Sequence, residues 1–181
     1  MTLIILGLLL WTVSHTWKRF APAHRARVGD KGKGFVAIAS LVAIVLMVIG
    51  YRGADTVGLW GSSQAMTGIN NLLMLFAFYL FAASGAKTRI TAAIRHPQLT
   101  AVIVWSGAHL LANGDTASVL LFGGMAAWAL LEIILINGIE GARAPYHAVP
   151  FKKEITAIIA TVVVFTIVAL IHMWVGPNPF G

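Results

Sequence analysis

Residues 95–115 read RHPQLTAVIVWSGAHLLANGD, and this stretch decides the fold. It opens on the basic pair Arg95-His96, passes Pro97, and runs apolar to Asn113-Gly114-Asp115. Proline suits the first turn of a helix, where its missing N–H costs nothing. Asn-Gly is a turn signal that stops one. The stretch is read as a membrane-buried helix with His96 at its start and His109 near its far end.

The rest of the chain supports a lipid solvent. Of 181 residues, 59% are hydrophobic and 10% are charged. Soluble domains carry roughly 25% charge. Mean hydropathy is +0.85, more apolar surface than a soluble domain of this size could hide. The net charge of +7 does not point to nucleic acid, because the cations sit in turns between apolar runs and form no stripe interleaved with aromatics. There is no cysteine, which excludes disulfides, Cys–zinc sites and a thiolate haem ligand. The first apolar run, Leu3 to Trp17, has no basic stretch before it and no A-x-A-like site after it. It is read as a retained helix, not a signal peptide.

Apolar runs cover about 3–17, 34–51, 69–84, 98–113, 116–137 and 155–175. They predict an all-α, polytopic membrane bundle of about six transmembrane helices, forming a single domain over 1–181. The first turn holds Lys18, Arg19, Arg25, Arg27, Lys31 and Lys33, and the third holds Lys87, Arg89 and Arg95. The fifth holds Arg143, Lys152 and Lys153, so the odd turns carry all but Arg52 of thirteen basic residues. The positive-inside rule then puts the basic turns on the cytoplasmic side and both termini on the outer side. Trp11, Trp17, Tyr51, Trp60 and Trp174 fall where an interfacial belt would lie. Gly123-Gly124 and Ala126-Ala127 offer a small face for helix packing. Asn70-Asn71 and Asp115 are expected helix caps.

Histidines are the informative residues. At about 1.5 Å per residue through a core of about 30 Å, His15 lies roughly 20 Å below the outer boundary. His109, on a helix of opposite direction, lies about 16 Å above the inner one. Two histidines at similar depth on different helices can hold a haem iron from both faces, so His15 and His109 are the expected metal ligands. The plainer alternative is a neutral imidazole bonded across helices to Ser or Thr. Ser14, Thr16 or Ser106 would orient the rings. His172 falls near the outer edge, and His24 and His147 fall in basic turns. Arg89, Arg95 and His96, with Lys87, could pair a haem carboxylate or a lipid headgroup, or simply anchor the interface. Trp105, one turn before His109, is the ring expected beside the cofactor. Glu132 lies inside the fifth run and is costly there if charged. It is read as a protonated or hydrogen-bonded structural group in preference to a proton carrier.

The opening LGLLLWTVSH, the RHP at 95–97, the W-x-x-A-H at 105–109, LLANGD at 110–115 and Ala127-Trp128 together resemble the NnrU family of bacterial membrane proteins. The likeness covers nearly the whole chain. It implies a role linked to denitrification, through nitrite and nitric oxide reductase expression or activity. The RHPQ…W-x-x-A-H pattern and Val149-Pro150-Phe151 are similar to zeta-carotene isomerase, a membrane haem b enzyme. That likeness implies haem ligation at the position of His109 and, less closely matched, His15. The isomerase has a cysteine where this chain has Ser106, so its redox-linked ligand exchange is not expected. RHP, Glu140 and Val149-Pro150 also resemble the isoprenylcysteine methyltransferase group, which implies S-adenosylmethionine binding.

Three functional readings follow. The leading one is an inner-membrane haem b protein with a redox or nitric-oxide-linked accessory role. The second is a cofactor-free membrane subunit or assembly factor, working in a larger complex or a homo-oligomer. The third is an isomerase-like or methyltransferase-like enzyme.

Overall fold

The computed structural model describes residues 1–143, 145, 149–176 and 178–180. Those residues form helices α1 (Thr2–Phe20), α2 (Pro22–Val28), α3 (Lys31–Arg52) and α4 (Gln64–Ala86). Then come α5 (Ile90–Ala93), α6 (Pro97–Ala112), α7 (Thr116–Glu140) and α8 (Lys152–Val175). No strand occurs among them, and the fold is all-helical as expected.

The six apolar runs all become helices, most of them longer than the runs themselves, because small and polar residues at their ends continue the turn. Four of them, α3, α4, α7 and α8, are long and apolar enough to cross a membrane. The chain is thus a multi-pass membrane protein. At 16 residues, α6 spans about 24 Å at 1.5 Å per residue, short of a core of about 30 Å. The 19-residue α1 ends in Trp17-Lys18-Arg19-Phe20.

Helix ends follow local chemistry. Asn70-Asn71 are not a cap: α4 begins earlier, where Ser63 Oγ accepts the Met66 N–H at 3.2 Å. A hydroxyl in an extended residue outcompetes an amide already inside the helix. Asp115 is a cap as expected. Its Oδ1 accepts from Ala117 and Ser118 N–H, both at 3.0 Å, and its Oδ2 accepts the Ser118 hydroxyl at 2.6 Å. Pro97 and Pro22 open α6 and α2. The short helices α2 and α5 lie in turns that the hydrophobic pattern left unassigned.

The long helices run alternately up and down. The packing order is α3, α1, α7, α6, α4, α8. Two glycines let α1 and α3 approach closely. A Cβ on Gly7 would meet Ala43 O at 2.8 Å, and one on Gly50 would meet Ile4 N at 2.7 Å. Gly124 of α7 receives Leu8 of α1, as a small-residue face should, whereas Gly123 has no close neighbour. Outward, α3 shows Ile38, Leu41, Val45 and Ile49, and α8 shows Ile155, Ile159, Val163 and Leu170. In water such faces would aggregate; in hydrocarbon they are at home.

Turns from alternate ends of the helices gather at two poles. At one, Tyr51 and Ser118 hydroxyls lie 2.8 Å apart and Trp60 Nε1 donates to Leu110 O at 3.1 Å. There Arg52 donates to Val175 O at 3.2 Å. At the other pole, Arg95 donates to Gly141 O at 2.7 Å, Arg143 to Ala92 O at 2.5 Å, and Arg89 N to Glu154 Oε1 at 2.6 Å. The twelve basic residues of the odd turns belong to this second pole, the basic end. His147, assigned to the fifth turn, lies outside the described residues.

Candidate functional site: two histidines in two cavities

Trp11, His15 and Arg19 recur every four residues on α1, and Trp128 and Glu132 do so on α7. That spacing puts each set on one helix face. The faces meet rung by rung. Trp11 and Trp128 rings lie 5.3 Å apart, edge on. His15 stacks on Trp11 at 4.2 Å and meets the Trp128 edge at 5.2 Å. One turn nearer the basic end, Arg19 pairs with Glu132 at 3.8 Å and with Glu140 at 3.6 Å. Glu132 is thus ion-paired as well as buried. The sequence reading missed Arg19, although opposite charges at similar depth on two apolar helices were visible.

Beside this ladder lies a cavity of about 740 Å³, walled by α1, α4, α6 and α7. Its lining includes His15, Phe81, Trp105, Trp128, Glu132, Arg95 and His96. The volume falls within the range of cofactor and small-molecule sites. His96 and Arg95 occupy the end near the basic turns, where His96 Nε2 donates to Asn137 Oδ1 at 2.9 Å. Three buried polar atoms in these walls have no hydrogen-bond partner among the described residues: Trp11 Nε1, Trp128 Nε1 and Glu132 Oε1. Each such atom costs about 1–3 kcal/mol when left unpaired.

His109 is elsewhere. It stacks on Phe122 at 4.5 Å and lines a second cavity of about 60 Å³ with Asn70, Asn71 and His172. Trp105 stands between the two sites: it lines the large cavity and touches His109 at 5.0 Å. Phe78 lines both. So His15, Arg95, His96 and Trp105 share one cavity, and His109 does not join them. Arg89 is exposed on the α5 side and does not line either cavity. Backbone carbonyls, and not the expected hydroxyls, are the main partners of both imidazoles. His15 Nδ1 donates to Trp11 O at 2.8 Å, and His109 Nδ1 donates to Trp105 O at 3.0 Å. Ser14 Oγ lies 3.3 Å from His15 Nδ1, while the buried Ser106 hydroxyl has no partner among the described residues. A neutral imidazole with Nδ1 protonated keeps the lone pair on Nε2. Both rings therefore present the nitrogen that ligates metals.

The model of the NnrU protein family matches residues 3–179. The chain belongs to the NnrU family. No curated protein and no solved structure matches it. For this NnrU-family chain the match covers every residue lining the large cavity and all but Phe180 of those lining the small one.

Proposed function

We propose that the protein is a six-span inner-membrane protein that holds haem b in the large aromatic cavity. The basic end faces the cytoplasm and both termini face the periplasm, in keeping with the charge asymmetry between the poles. The donor set fits such a group through one imidazole. His15 Nε2 would be the iron ligand, oriented by Trp11 O, and Arg95 and His96 would pair the carboxylates near the basic end. A second ligand from His109 would require Trp105 to move, so the arrangement of two imidazoles expected from the sequence is replaced here by one. When bound, haem would supply one-electron redox chemistry and an iron site for nitric oxide. The protein's task in this reading is a redox or nitric-oxide-linked accessory role. The observation that carries it is the position of His15 in a cofactor-sized, mainly apolar cavity with Arg95 and His96 at one end.

The test is a Soret spectrum of protein purified after haem-replete expression. Wild type and His109→Ala should show the band, with a shift on anaerobic addition of nitric oxide, and His15→Ala should lack it. Absence of the band in wild type ends the haem reading. Its loss in His109→Ala would restore the two-imidazole arrangement. A cofactor-free membrane subunit is the competing reading, supported by the breadth of apolar surface on α8, and a stoichiometric partner co-purifying without a Soret band would favour it.

A further inference from the structure

The small cavity has its own ligand chemistry. It lies between α4, α6 and α8 at the pole opposite the basic end, and His109 and His172 both line it. The Nδ1–H of His109 is committed to Trp105 O, so Nε2 carries the lone pair. Asn70, 8% exposed, also lines it. Asn70 Nδ2 donates to Asn71 Oδ1 at 3.1 Å, which fixes the orientation of the amide. Asn70 Oδ1 is then left buried with no partner among the described residues.

At about 60 Å³ the cavity is several-fold smaller than the roughly 300–1,000 Å³ of small-molecule sites. Phe165 and Phe180, with rings 6.3 Å apart, line the same cavity. A small apolar-walled cavity with two imidazoles and an orphaned amide oxygen suits a single cation better than an organic molecule. Imidazole-rich sites select the later first-row divalent metals.

The geometry points to a transition-metal site, of the copper–nickel–zinc class, formed by His109 Nε2, a ring nitrogen of His172 and Asn70 Oδ1. It is separate from the haem cavity. Among the described residues no group of three or more His, Cys, Asp or Glu could hold a metal; this site uses two imidazoles and an amide. Trp105 O acts on the metal only through the imidazole it orients, as a positioning group.

The experiment titrates Zn²⁺ into detergent-purified full-length protein and records the Cu²⁺ electron paramagnetic resonance spectrum. Wild type should bind one ion per chain, with hyperfine coupling to two imidazole nitrogens. His109→Gln and His172→Gln should each weaken binding by more than the roughly 10–100-fold that loss of an outer partner costs. His15→Gln should bind the metal as wild type does while losing the Soret band, so failure of the haem reading and failure of this one are told apart. Should His109→Gln not fold, Asn70→Leu keeps both imidazoles and should weaken binding by at least the roughly tenfold that loss of an outer partner costs. No binding by wild type, binding unchanged in both histidine variants, or a spectrum without two imidazole nitrogens overturns the site.

Discussion

His15 and His109 are built alike and placed differently. Each follows a tryptophan by four residues, and each donates Nδ1–H to that tryptophan's carbonyl, at 2.8 Å and 3.0 Å. Each rests against its own tryptophan ring, at 4.2 Å and 5.0 Å. The W-x-x-x-H unit is a local device: one helical turn sets the tautomer and aims the ring. What differs is the residue of α7 that each unit meets. His15 meets Trp128 and lies beside the large cavity; His109 meets Phe122 and faces the small one. Local sequence made two equivalent imidazoles, and packing against α7 assigned them to different cavities.

The largest expected effect on this comparison comes from the ion pair that backs the large cavity. Glu132 is 5% exposed, and Arg19 is its cationic partner at 3.8 Å. Arg19→Met leaves that carboxylate buried and uncompensated, a loss of about 3–5 kcal/mol. Thermal unfolding in detergent measures it. The double variant Arg19→Met/Glu132→Gln should recover most of the loss, because no unpaired charge remains. The haem band should suffer, and Zn²⁺ binding at the far pole should not. If both sites fail together in the folded single variant, the two cavities are one coupled unit and the comparison breaks.

Next in size is the cap at the opposite pole. Asp115 holds the α6–α7 turn through three hydrogen bonds. Ser118, one of its partners, also holds the Tyr51 hydroxyl of α3 at 2.8 Å. Asp115→Ala should cost about 0.5–2 kcal/mol. It should loosen the register of Phe122 against His109 and so weaken the small site more than the large one. The reverse ranking, measured by metal affinity against haem retention, would remove the assignment of each histidine to its own pole.

Much of the fold was legible in the sequence because lipid imposes simple rules. A span needs a long apolar run, and cations stay at its ends. Runs 34–51 and 155–175 therefore became α3 and α8 within three residues at each end. The start of α4 was only partly legible: the run could be expected to extend to Ala65, but Gln64 to Gly68 are small or polar except Met66, and hydrophobicity alone cannot tell a helical turn from a loop. The α2 and α5 turns escaped for the same reason. The site was half legible. Depth along a helix can be counted, and counting it put His15 and His109 inside the bundle, where each lines a cavity. Azimuth around the bundle cannot be counted from one helix. It depends on which neighbours pack where, and Trp105, the neighbour of His109, proved to line the cavity of His15 while His109 itself does not. Arg19 and Glu132 were each visible, but their pairing needed the parallel contact of α1 with α7.

The smallest expected effect is the most discriminating. Trp128 is 7% exposed, and its Nε1 is buried without a partner among the described residues. Trp128→Phe removes that N–H and keeps an aromatic edge for His15. In the empty protein, relief of an unsatisfied donor worth about 1–3 kcal/mol opposes the packing lost with the smaller ring, roughly 1 kcal/mol or more. Unfolding temperature should therefore move little in either direction. Ligand retention should fall measurably, because a donor that costs stability when idle is useful only when something accepts from it. An unfolding temperature that drops by the full packing loss, with haem retention unchanged, would mean that the indole serves packing alone. Phe122→Leu makes the matching test at the other pole, where the ring against His109 carries no polar atom. There stability should fall with the lost ring, and no relief of an idle donor should offset it. The contrast between the two variants reads directly whether the indole beside His15 serves a polar atom of a bound molecule, while the ring beside His109 serves packing.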